Sequence, residues 1–222
     1  MVGYIITNIL ELEMTYEQDE KRSETLKRIL EAAKDVFAEK GFAGARVDEI
    51  ARKANVNKAA LYYHIGDKKA LYAEAIHNVI GTASERLAKD IRGARTPEDK
   101  IKTYLRTLAT TFDENPQLPR MMMREMASGG QDIPEVFFQD LFSIIRVLSG
   151  IIEEGKSQGV FIDTPPLLVH FMAIGATVIY KIIAPILLAA QQVPDNLKGI
   201  DEDVSGKIAN EIENLILNAI RK

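Results

Sequence analysis

Cysteine is absent from the 222 residues, and histidine occurs only three times. The first absence excludes a disulfide framework, a thiolate nucleophile and thiolate metal ligation, and it suits a reducing cytoplasm. The scarcity of histidine leaves His64, His77 and His170 with no His-x-x-x-His pair and no glutamate-adjacent zinc motif, so no catalytic metal is expected, and no cofactor. Sustained strand alternation is missing, as are a Gly-x-Ser-x-Gly elbow, a phosphate loop and a paired-carboxylate spacing. These absences argue for an all-α chain that is not an enzyme. The start of the chain, apolar in part and ending in Glu11-Leu12-Glu13, lacks the basic onset and cleavage site of an export signal, so a cytoplasmic protein is expected.

Charge is unevenly placed within the formal net of -4. Residues 1–20 hold five acids and no base, whereas residues 21–69 hold twelve bases against seven acids. A basic block inside an acidic chain is the footprint that phosphate-backbone binding needs. Met14 precedes a polar lead-in, Thr15 to Ser23, so residues 1–13 are consistent with an upstream start codon. The N-terminal mass of the natively expressed protein tests that expectation.

Apolar positions Leu26, Ile29, Leu30, Ala33, Val36 and Phe37 recur at helical spacing from Ser23 to Lys40, and Gly41 suits a left-handed stop. A short helix over Val47 to Ala54 follows. Asn55-Val56-Asn57 interrupts it, and Asn57 is placed to cap a third helix, Lys58 to His64. Asp67 caps a fourth, which runs to about Arg92 and Gly93. Thr96-Pro97-Glu98 opens a fifth that ends near Asp113, and a sixth covers Leu118 to Ala127. Pro134 starts a seventh, terminated by Gly155 or Gly159. Residues 165–190 and Val204 to Arg221 complete nine helices. The division expected is an N-terminal extension at 1–22, a DNA-binding domain at 23–69, and a ligand-binding and dimerisation domain at 70–222.

Two short helices joined by a tight turn behind a longer one form a helix-turn-helix, whose second helix fits the major groove. Such pairs also occur in the cores of helical proteins, but the local sequence favours DNA. Ala32-Ala33, Phe37, Gly41-Phe42, Val47, Ile50-Ala51, Ala54, Val56, Leu61-Tyr62-Tyr63-His64, Asp67-Lys68 and Leu71 stand in the order and spacing of the tetracycline-repressor-like (TetR) family, which residues 23–76 resemble. Three positions depart from the family pattern. Asn55 replaces a common glycine but tolerates positive φ; Arg46 stands where Ser or Thr often caps; Ile65 replaces a frequent phenylalanine.

The DNA-contact set expected is Arg46, Asn57, Lys58, Ala59, Ala60, Tyr62, Tyr63, His64 and Lys68. Lys58 opens the recognition helix, where a long cation reaches guanine O6 and N7 or a phosphate. Ala59 and Ala60 let the helix sit deep. The resemblance implies phosphate contacts by one or both tyrosine hydroxyls and by Lys68, the alternatives being two packing rings and a solvated lysine. His64 could pack, bond phosphate or read a base, and Arg46 could replace the missing cap as a phosphate partner. Leu61, Ile50, Val47 and Ala51 are assigned to the core.

The remainder carries no comparable signature. The resemblance implies that it dimerises and encloses a small-molecule pocket, with the fourth helix carrying the response. Residues 165–190 are apolar nearly all round. A membrane span is disfavoured by Lys181, costing about 2.5 to 3.5 kcal/mol at a helix centre, and by the interruption at Pro185. A helix covered by its own core on one side and a second subunit on the other is preferred, with Ala173, Gly175 and Ala176 permitting close approach. The last helix stripes Ile208, Ile212, Leu215, Ile216, Ala219 and Ile220, leaving Lys207, Glu211, Glu213 and Asn214 outside it. Together these two helices suit an intermolecular four-helix bundle. Ligand-lining candidates are Tyr104, Met122, Met126, Phe138, Phe142, His170, Phe171 and Tyr180, with Phe112 nearby; they suit a hydrophobic effector and a plain core alike. The function expected is a repressor released from a palindromic operator by a small apolar molecule. A helical apolar carrier or enzyme, and a membrane-tethered adaptor, are the rivals.

Overall fold

The computed structural model describes residues 2–189 and 204–222. Its helices are α1 Val2–Gly44, α2 Val47–Lys53, α3 Lys58–Ile65, α4 Lys68–Asp90, α5 Pro97–Glu114, α6 Leu118–Ala127, α7 Glu135–Ser157, α8 Pro166–Ala189 and α9 Val204–Ile220, with a 3-10 turn at Ile91–Gly93. Among the described residues the one β-type pairing is an isolated antiparallel bridge between Phe161 and Arg221. Residue 190, the end of the eighth helix expected from sequence, and the side chain of Lys207 lie outside what is described.

The chain divides into two compact units, Met1–Ala75 and Ile76–Lys222. The division falls inside α4 and not between residues 69 and 70, because the first turns of α4 belong to the N-terminal core. Tyr72 meets Phe37 edge-on at 4.7 Å and lies 5.1 Å from Phe42, and Leu71 is fully buried. Against them α1 sets Ile29, Ala33, Val36 and Phe37, each sealed from solvent. Each large apolar side chain so buried contributes about 1.5 to 3 kcal/mol. The helical run begins well before Ser23, where sequence placed its start. Residues 4–40 contain neither glycine nor proline, and Thr25 Oγ1 bonds back to the Lys21 carbonyl within a continuing helix. Two helical pieces meet at Gly41, whose φ of 69° and ψ of 174° lie in a region essentially restricted to glycine, beyond the left-handed helical cap expected.

In the C-terminal unit α5 is central. It buries Ile101, Tyr104, Leu105, Leu108 and Phe112 and reaches its neighbours through ion pairs that include Lys100 with Glu154 on α7, Arg106 with Glu213 on α9, and Asp113 with Lys181 on α8. The second pair corrects the reading of α9. Glu213 is buried, since the Arg106 guanidinium meets it at 3.1 Å, while Leu215 and Ala219 face outward; Ile216, Leu217 and Ile220 form the inner stripe. Gly155 lies inside α7, and Gly159, at φ 71°, follows its end. Helix α8 continues through Pro185 without the interruption expected, losing one backbone donor there.

Candidate nucleic-acid interface

Helix α2 starts after Arg46, which is extended, exposed and makes no side-chain cap bond, as its departure from Ser or Thr suggests. Ala54 ends it, Asn55 takes φ 54°, and Val56 N–H returns to the Ala51 carbonyl at 3.0 Å. The chain then extends through Asn57, whose Oδ1 accepts the Ala60 amide at 2.6 Å and starts α3. Ile50, Ala51 and Leu61 are buried, so α2 and α3 are locked through one face. The opposite face of α3 is left open. Lys58 and Ala59 are exposed, as are Tyr62 at 43% and Tyr63 at 76%, with Ala60 and His64 half-buried.

Two residues outside the expected contact set shape this surface. Asp48, in the first turn of α2, holds Lys58 Nζ at 2.7 Å, and this hydrogen bond raises the lysine pKa above its ordinary value. The same ammonium stands 5.9 Å from the Tyr62 ring. Arg22 of α1 lies 5.9 Å over the Tyr63 ring, while Tyr63 also meets His64 edge-on at 5.6 Å. Asp48 was legible as a first-turn acid; Arg22, forty-one positions before Tyr63, had no local signal. Lys68 is half-buried and held in place. Its Nζ donates to the Ala43 carbonyl at 3.2 Å and caps the Phe42 ring at 4.7 Å. Chemically, the open face offers two phenol donors, a cation at the helix start and a small-residue floor, which match phosphates, base edges and close groove approach.

The residues read as ligand-lining are dispersed. Tyr104 and His170 are both buried and bond each other, the hydroxyl 2.5 Å from Nδ1. Burial drives the His170 pKa down to about 4 and pushes the Tyr104 phenol up, so both are neutral near pH 7. Phe112 is buried, and Met122 and Tyr180 are half-buried. Met126, Phe138, Phe142 and Phe171 lie on the outside of the chain, because they occupy the outward faces of α6, α7 and α8. A cleft of about 730 Å³ opens elsewhere, between Arg146, Gly150 and Glu153 of α7 and the Asp163–Pro166 segment, and none of the eight candidates lines it.

Comparison with known proteins follows the same two-part division. Residues 29–75 match the family model of bacterial regulatory proteins of the tetR family, and residues 97–189 match a tetracycline-repressor-like C-terminal domain. The HTH-type transcriptional regulator RutR of Escherichia coli K12 is 29% identical over 195 residues, covering 88% of this chain and 90% of RutR. The hemolysin II transcriptional regulator HlyIIR superposes with a TM-score of 0.60 at 26% identity, over 86% of this chain and 97% of that one. FadR from Bacillus subtilis, solved in complex with stearoyl-CoA, gives a TM-score of 0.68 at 19% identity over 87% and 98%. With both family domains in order and a helix-turn-helix whose recognition helix is capped and open, the chain belongs to the TetR family and is a DNA-binding transcription regulator.

Proposed function

We propose that this regulator is a cytoplasmic homodimeric repressor that reads a palindromic operator with α3 and releases it on binding a small apolar effector. The observation that carries the DNA half is the α3 surface: Leu61 anchors the helix from behind while Lys58, Ala59, Tyr62 and Tyr63 are exposed in front, Lys58 within reach of Asp48. Arg46, Asn57, Ala60, His64 and Lys68 flank it as phosphate or edge contacts. A dimer sets its two recognition helices roughly 34 to 36 Å apart, one DNA turn. The outward faces of α8 and α9 support pairing. Leu167, Leu168, Phe171, Met172, Ile179, Ile183 and Ile186 are exposed on α8, as is Leu215 on α9, an apolar set that water alone does not suit. By length and composition Pro166–Leu187 could cross a membrane, with a mean hydropathy of 1.9. Its Lys181–Asp113 and His170–Tyr104 contacts to α5 favour the subunit interface instead. Tyr104 and His170, the buried polar pair among apolar walls, are the effector's expected anchor, with Met122 and Tyr180 beside them.

The experiment is binding of the purified protein and its Lys58→Ala variant to a labelled genomic fragment from beside its own gene, across a salt series. Competitor-resistant binding that weakens with salt, and a variant that loses about 1 to 3 kcal/mol of discrimination, are expected. Absence of any preferred sequence, from that fragment and from a selection of random duplexes, defeats the proposal.

A further inference from the structure

His77 lies on the half of α4 that belongs to the C-terminal unit, and its Nδ1 is 2.8 Å from Oδ2 of Asp140 on α7. The Asp140 side chain is almost sealed, at 12% exposure, whereas the imidazole is half in solvent. A buried carboxylate needs such a partner, since burying a charge without one is strongly unfavourable. Gly81, one turn further along α4, is what gives the ring its place. A β-carbon at residue 81 would stand 2.7 Å from both Nδ1 and Cε1 of His77, closer than real contacts allow. Glycine weakens the middle of a helix. Here the missing side chain lets the imidazole lie across bare backbone and reach α7. A second polar tie of this half of α4, Arg86 to Glu114 on α5, is exposed and correspondingly weak.

Helix α4 is continuous from Lys68, in the DNA-reading unit, to Asp90. We propose that His77, seated over Gly81 and bonded to Asp140, is a positioning residue for operator binding: it fixes α4 against α7, and through that helix tunes how well the recognition helices meet their operator. The inference rests on the operator-binding reading above. The test uses the full chain as wild type, His77→Leu, His77→Asn and Gly81→Ala, each titrated against the selected operator and against a random duplex. Asparagine is the conservative variant because its amide nitrogen stands where Nδ1 does. His77→Leu and Gly81→Ala should change operator affinity by about two- to thirty-fold, the span of coupling seen for residues that touch neither ligand. Random-duplex affinity should stay constant, and His77→Asn should behave as wild type. Gly81→Ala discriminates further, since it leaves the imidazole itself intact and removes only its seat: altered operator affinity in a variant that still melts cooperatively supports the positioning role. Operator affinity unchanged in both His77→Leu and Gly81→Ala overturns it, with Gly81 then a mere accommodation of the ring. A wild type with no operator preference overturns the regulator reading, and this inference with it.

Discussion

Asn57 closes the inter-helix turn in extended backbone and takes the Ala60 amide on its side chain. Helix α3 has only eight residues, too few to hold itself in water without tertiary packing. Replacing Asn57 by alanine should therefore lower stability by about 1 kcal/mol, and operator affinity with it; thermal melting and a DNA titration read the two effects. His170 makes a different kind of prediction. Its folded pKa is about 4 against an ordinary 6.5, because burial disfavours the imidazolium. An unfolded chain takes up that proton first as pH falls, so the contribution to stability is complete above about pH 6.5 and is lost toward pH 4, amounting to about 3 kcal/mol. Melting temperatures at pH 7.5 and 4.5 should drop further for wild type than for His170→Gln. An equal drop would assign the acid sensitivity to other groups.

Glycines govern two of the elements. A β-carbon at Gly155 would lie 2.0 Å from the Phe161 ring, which packs on α7 next to the bridge between Phe161 and Arg221. Gly155→Ala should force the ring out, at about 1 to 3 kcal/mol of overpacking, and loosen the Ile162 to Ile220 hydrogen bond with it, visible as faster amide exchange at Ile162. Gly41→Ala should cost about 1 to 3 kcal/mol through backbone strain at φ 69°. Local chemistry made most elements legible: Asn57, Asp67 and Thr96 cap as their side chains dictate, and Asn55 takes the positive φ that asparagine tolerates. Distant partners explain the rest. The burial of Glu213 depends on Arg106, and that of Asp140 on His77, and no periodicity encodes pairs 107 or 63 residues apart. The Asp48 grip on Lys58 was equally hidden, since it depends on the angle between two short helices. Aromatic and thioether character, with His170 added as a polar group able to orient a ligand, cannot separate a residue facing inward, such as Tyr104, from one facing outward, such as Phe142.

For the molecule as a whole, the outward apolar face of α8 is the feature that most constrains behaviour in solution. A charge placed there, as in Ile179→Glu, should convert a dimer to a monomer in sedimentation and abolish high-affinity operator binding while leaving helicity intact. An unchanged sedimentation coefficient would move the interface elsewhere. The N-terminal unit has a quieter property. Lys40, Lys53 and Lys58 are engaged with Glu49, Asp35 and Asp48. Each must exchange a carboxylate for a phosphate before it grips DNA, so fewer counterions are set free than the tally of cations implies. Such a protein is expected to hold arbitrary sequence loosely and leave it quickly, which a shallow salt slope on random duplex would show. For the repressor proposed above, this predicts a search that proceeds more by dissociation and rebinding than by sliding along the duplex, so that the time to re-establish silence should scale with the number of copies in the cell.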